Sequence, residues 1–181
     1  MEKEIIDDCI KSFAAAIDSL KRELSRVRTG RANPAMLDGI RVDYYGTPTP
    51  LAQMANIQVP DARMMVVKAW DKSVLGLIEK AIATADIGIS PQNDGEIIRL
   101  PIPPLTEERR KEYVKMAKSK GEDARIAVRN IRRDSNELLK EAELPEDELR
   151  RAQDKVQVET DKAIALVDEI LGKKEKEILQ I

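Results

Sequence analysis

The sequence predicts an α+β, two-domain protein: an elongated three-helix bundle into which a small α/β domain, a β-sheet plus one helix, is inserted, L-shaped overall. Three observations predict this. Apolar residues recur at heptad spacing toward both ends of the 181-residue chain. Between them, the chain breaks into short alternating or β-branched runs bounded by Gly, Pro and Asn. Aromatic residues make up only 3% of the chain and charged residues 35%, a balance that favours long helices packed by small aliphatic side chains.

The first helix is read from Ile6, Ile10, Phe13, Ile17, Leu20, Leu24 and Val27, an a/d seam with alternating steps of four and three. It ends at Thr29-Gly30-Arg31-Ala32-Asn33-Pro34, where Gly suits a helix terminus and Asn-Pro disfavours continued helix. Cys9 flanks the seam and reads as a small core residue.

The middle segment predicts strands at Ile40–Tyr45, Asn56–Val59, Arg63–Trp70, Asp86–Ser90 and Glu96–Leu100. Gln92-Asn93-Asp94-Gly95 reads as a hairpin turn between the last two. Residues Asp71 to Ala83 form one short helix, with Val74, Leu75, Ile78 and Ile82 on its inner face after an Asp cap. Tyr44, Tyr45 and Trp70 fall in the sheet, where core packing is favoured over stacking on exposed bases.

Residues 100–105, Leu-Pro-Ile-Pro-Pro-Leu, form a stiff extended connector. Thr106 then caps a long helix running to about Glu141, with Tyr113, Ala117, Ala124, Val128, Ile131, Ser135 and Leu138 on its apolar side. Pro145 and the acids after it open a third helix, with a seam of Leu149, Ala152, Val156, Glu159, Ala163, Leu166 and Ile170, broken only by Glu159. Three such seams bury most simply against one another. The bundle therefore comprises residues 1–29 and 105–181, and residues 30–104 are the insertion, reached through two side-by-side connectors that limit it to rotation about one hinge.

Charge is segregated. From Thr106 to Arg133 there are ten Lys/Arg against five Asp/Glu, in a chain whose net charge is -2. On a wheel at about 100° per residue, Lys111, Lys118, Arg125, Arg129 and Arg132 fall within an arc of roughly 60°, separate from the apolar arc. Glu122 is the main acidic interruption. A basic stripe in an otherwise acidic protein points to a defined polyanion contact, in which guanidinium forks take phosphates without reading sequence. A charged, solvated helix face is the bland alternative.

Other chemistry is poorly provided for. The chain has no His and one Cys, so His-dependent triads, zinc sites, disulfides and CxxC motifs are excluded, and no phosphate-binding glycine loop occurs. Paired acids sit at helix ends, where the helix dipole favours them. No catalytic residue, cofactor or metal ligand is expected. The acidic N-terminus lacks an apolar signal region and no apolar run reaches membrane-spanning length, so a cytoplasmic protein with no membrane partner is expected.

The segments VRTGRANPAMLDGIRVDYYG at 27–46, LPIPPLTEERRKE at 100–112 and ARIAVRNIRRDSNELLK at 124–140 resemble the bacterial ribosome recycling factors. The resemblance spans nearly the whole chain. It implies a non-enzymatic translation factor that binds the large subunit of the post-termination ribosome. With elongation factor G and GTP, it would split the subunits to release mRNA and tRNA. It implies that Arg132 is a central ribosomal RNA contact with Arg129 and Arg110 beside it, within a candidate set of Arg28, Arg110, Lys118, Arg125, Arg129, Arg132 and Arg133. It also places the hinge at Gly30, Arg31, Pro103, Pro104 and Leu105, and the expected state is a monomer. Two other readings stay open: a general RNA-binding protein, and a coiled-coil assembly protein whose seams pair between chains.

Overall fold

A computed structural model describes residues 1–180. They divide into two units: Met1–Val27 with Glu108–Gln180, and Arg28–Glu107.

The first unit is built from α1 (Glu2–Ser25), α4 (Glu107–Glu141) and α5 (Glu146–Leu179). All three contribute to one apolar cluster, which includes Phe13, Ile17, Leu20 and Leu24 of α1, Ala117, Ala124, Val128 and Leu139 of α4, and Ala152, Val156, Ala163, Val167, Leu171 and Ile178 of α5. Cys9, buried in the same cluster, continues the α1 seam where Ile10 is exposed. Burial holds its thiol pKa above the ordinary value, assisted by the charge of Glu159 and opposed by a hydrogen bond with Ser135.

The later stretches of α4 and α5 also depart from the heptad expectation. Leu138 and Leu166 are exposed, while Leu139 and Val167 are buried. Leu138 lies seven residues beyond Ile131, which packs against the cluster, and Leu166 seven beyond Glu159, which has already moved to its edge. A straight helix drifts about 20° per heptad, and the buried residues instead recur every eleven: Ala117 to Val128 to Leu139, and Val156 to Val167 to Ile178. Glu159 lies beside the seam and pairs with Lys162 at 2.7 Å. Thr160 takes its place in the core, its buried hydroxyl donating to the Val156 carbonyl at 2.7 Å.

The second unit holds a two-stranded sheet of β1 (Arg41–Tyr44) and β2 (Thr47–Pro50), and a four-stranded antiparallel sheet. The larger sheet has the order β3-β4-β6-β5, from β3 (Ala55–Asp61), β4 (Met64–Ala69), β5 (Gln92–Asn93) and β6 (Ile98–Pro101). The short helix α2 (Leu51–Met54) joins the two sheets, and α3 (Leu75–Thr84) supplies Leu75, Ile78 and Ile82 to the core. Asp71 caps the 3-10 turn leading into α3, accepting from the Ser73 amide at 2.9 Å.

Here too the sequence expectation needs correction. Asp86–Ser90 is not a strand; Asp86 adopts a left-handed φ of 49° and breaks the run. Gln92 and Asn93 pair with Arg99 and Ile98 as β5, so the hairpin turn lies two residues later, with the Asp94 carboxylate accepting from the amides of Glu96 and Ile97. Strand β2 carries Pro48 and Pro50, which disguise it; a two-stranded ribbon is all edge, so neither Pro interrupts an inner ladder. The β1–β2 loop, Tyr45-Gly46, has φ of 49° and 83°, as a two-residue type I′ turn requires. Tyr45 therefore stands at the hairpin tip, 81% exposed and edge-on to Tyr44, and Trp70 is 72% exposed. None of the three is a core aromatic. The apolar volume of this unit is filled by aliphatic residues such as Val42, Met65, Val67, Ile98 and Leu100.

Candidate nucleic-acid interface

The basic stripe occupies one flank of α4, next to its buried face. Gly121 leaves room at this flank for a side chain of α5: the δ-methyl of Leu171 lies only 2.7 Å from where a Cβ would stand. The long arginine side chains of the flank span the remaining distance to α5.

Each arginine meets a different environment. Arg125 is engaged on three nitrogens: Nε and Nη2 donate to Asp168 at 3.1 and 2.5 Å, and Nη1 donates to Glu122 at 3.3 Å. The paired Asp168 carboxylate raises its already high pKa. With two carboxylates on one guanidinium, Arg125 is a tie between α4 and α5. Arg129 meets the other oxygen of Glu122 at 3.3 Å and is mostly exposed. Arg132 donates from Nη1 to the neutral Oε1 of Gln157 at 3.1 Å, and Arg133 lies 3.5 Å from Asp134 at the surface. Lys118 is exposed further toward the start of the helix.

Two candidate residues lie elsewhere. Arg110 is partly buried and falls on the apolar side of the α4 wheel, about 100° from Arg129. Arg28 belongs to the second unit, where Nη2 donates to the Ile87 carbonyl and Nη1 lies 3.3 Å from the Cβ position of Gly88. The face that the structure assembles is therefore Lys118, Arg129, Arg132 and Arg133, braced by Arg125.

Sequence reasoning missed the α5 side of this face. Gln157, Asp161 and Asp168 follow one another at steps of four and seven, which puts them within about 40° on the α5 wheel. Gln157 donates through Nε2 to Asp161 at 2.8 Å. A polar stripe beside an apolar seam was the available signal. Its pairing with α4 depends on how two helices approach, which neither periodicity contains.

A family profile described as Ribosome recycling factor matches residues 20–179. The chain belongs to this family. Ribosome recycling factors of similar sequence include that of Brevibacillus brevis, 54% identical over 185 aligned positions covering 100% of both chains, and that of Syntrophomonas wolfei, 53% identical with the same coverage. A solved solution structure of a ribosome recycling factor superposes with a TM-score of 0.77 at 38% identity, covering 99% of this chain and 98% of the other. A Thermus thermophilus ribosome recycling factor, described with Escherichia coli elongation factor G on the post-termination complex, gives 0.67 at 43% identity, covering 99% and 100%. As a ribosome recycling factor the chain is a translation factor and not an enzyme. No helix among the described residues is long and apolar enough to cross a membrane.

Proposed function

We propose that this recycling factor, working in the cytoplasm as a monomer, holds the large ribosomal subunit through the arginine face of α4. With elongation factor G and GTP, it then splits the post-termination ribosome and releases mRNA and tRNA. The observation that supports the contact is the placing of Arg129 and Arg133, both exposed, and the half-buried Arg132 along one flank of a long helix whose small-residue face is already buried. A cationic helix flank of this kind positions a protein on folded RNA by phosphate contact and shape. The partner assignment follows from the relative described with elongation factor G.

Bundle residues 1–29 and 105–181 would act as the binding arm and residues 30–104 as the moving head, with the hinge at Gly30, Arg31, Pro103, Pro104 and Leu105. The connectors support this. The Ala32 amide donates to the Ala62 carbonyl at 2.7 Å and the Ile102 amide to the Arg63 carbonyl at 2.8 Å, so both are pinned at the β3–β4 turn. Rotation is thereby left to the residues before Ala32 and after Ile102.

Titrating intact large subunits, free ribosomal RNA and a random duplex at one salt concentration tests the contact. Selective binding to the subunit is expected, and equal affinity for all three would favour a general RNA-binding protein. Sedimentation tests the assembly alternative: the three seams meet within one chain, so a monomer is expected at micromolar concentration.

A further inference from the structure

On α4, Arg132 is held by a neutral group, whereas Arg125 and Arg129 meet carboxylates. Gln157 Oε1 accepts from its Nη1 at 3.1 Å. The amide cannot turn over without losing a second bond, because Gln157 Nε2 donates to Asp161 Oδ1 at 2.8 Å and a carboxylate only accepts. The chain Asp161–Gln157–Arg132 thus fixes which end of the amide faces the guanidinium. Arg125, about two turns earlier, shows the contrast: its fork is filled and its charge offset by Asp168 and Glu122.

We propose that Gln157 is a positioning residue for RNA binding: it orients the Arg132 guanidinium toward phosphate while leaving its positive charge undiminished. The proposal rests on the reading of Arg132 as an RNA contact. A long side chain on an exposed flank samples many rotamers, and restricting them beforehand removes an ordering cost from binding. A carboxylate at position 157 would restrict Arg132 equally well but would compete with phosphate for it. An amide orients without competing.

The test uses the full chain and purified large subunits, with dissociation constants measured across a range of salt concentrations for wild type, Arg132→Ala, Gln157→Ala, Gln157→Glu and the double variant Arg132→Ala/Gln157→Ala. Arg132→Ala should weaken binding at least tenfold and lower the slope of log K against log salt by about 1. Gln157→Ala should weaken binding by about three- to tenfold with the slope unchanged, since orientation is lost and charge retained. Gln157→Glu should weaken binding and lower the slope by about 1. In the double variant, removing Gln157 should cost nothing beyond the loss of Arg132. Wild-type affinity in Gln157→Ala, or the same further loss whether or not Arg132 is present, would overturn the positioning role. Wild-type affinity and slope in Arg132→Ala would overturn the RNA contact itself, a result distinguishable from the first. Alanine is a good helix former at both positions, and unchanged melting temperatures will show that the fold is intact.

Discussion

At the residue scale the bundle core contains one ionisable thiol, and its environment has a pH signature. Burial raises the Cys9 pKa above 9.0, so native protein keeps the proton at a pH where unfolded chains have lost it. Ionisation then favours the unfolded state. The stability due to this group is fully present below about pH 9 and is lost as pH rises beyond it. Cys9→Ala removes the effect together with a small volume of buried side chain, at a cost of about 1 kcal/mol near neutrality. Urea unfolding of both proteins should show that cost shrinking as the pH is raised beyond about 9. A constant difference would mean that the thiol ionises equally easily in both states. The same scale separates Arg from Lys at position 132. A guanidinium can donate to Gln157 and to a phosphate in one plane, whereas an ammonium is a point charge. Arg132→Lys should therefore keep the salt slope of large-subunit binding and lose about five- to twentyfold in affinity, roughly 1 to 2 kcal/mol. Affinity equal to wild type would show that charge alone is sufficient.

At the element scale, Gly121 of α4 is packed directly against Leu171 of α5. Replacing a helical Gly by Ala ordinarily gains about 1 kcal/mol. Here the new Cβ would stand 2.7 Å from Leu171 Cδ2, and Leu171 is buried in the cluster it would have to repack. Overpacking of that kind costs about 1 to 3 kcal/mol, so Gly121→Ala should be net destabilising by about 1 kcal/mol in chemical denaturation. A gain in stability would mean that Leu171 turns aside without loss. The three helices, their limits and most of their buried faces were legible because apolar spacing is a local property of each helix. Leu138 and Leu166 were misplaced because a heptad was carried past the point where a straight helix departs from it. The strand β2 and the exposure of Tyr45 and Trp70 were hidden for another reason: they depend on which strands pair, and residue preference describes only a half-buried surface. The cations of the site were equally legible on α4. What distinguishes Arg125 from Arg132 lies 43 and 25 residues further along the chain, on a helix whose polar stripe gives no hint of its partner.

At the scale of the whole molecule, the proposed division, in which one unit binds and the other moves, would need connectors that are anchored yet able to turn. Gly30 is the position where these needs meet. Its φ of 75° lies in the left-handed region, and a Cβ there would stand 3.6 Å from Leu105 of the returning connector, an ordinary contact. Space is therefore available for a side chain, but the backbone angle is unfavourable to one. A β-branched residue would strain this conformation by about 1 to 3 kcal/mol and press the connector toward a negative φ. Gly30 lies outside the arginine face, so Gly30→Val should bind large subunits with unchanged affinity. The altered connector should slow subunit splitting by elongation factor G and GTP severalfold, measured by light scattering on post-termination complexes. Gly30→Ala, with the same angle but less crowding, should fall between the two. Splitting at the wild-type rate in Gly30→Val, with binding intact, would place the required motion elsewhere than the connectors. Loss of binding and splitting together would instead mean that the connector sets the shape of the arm as well as the freedom of the head.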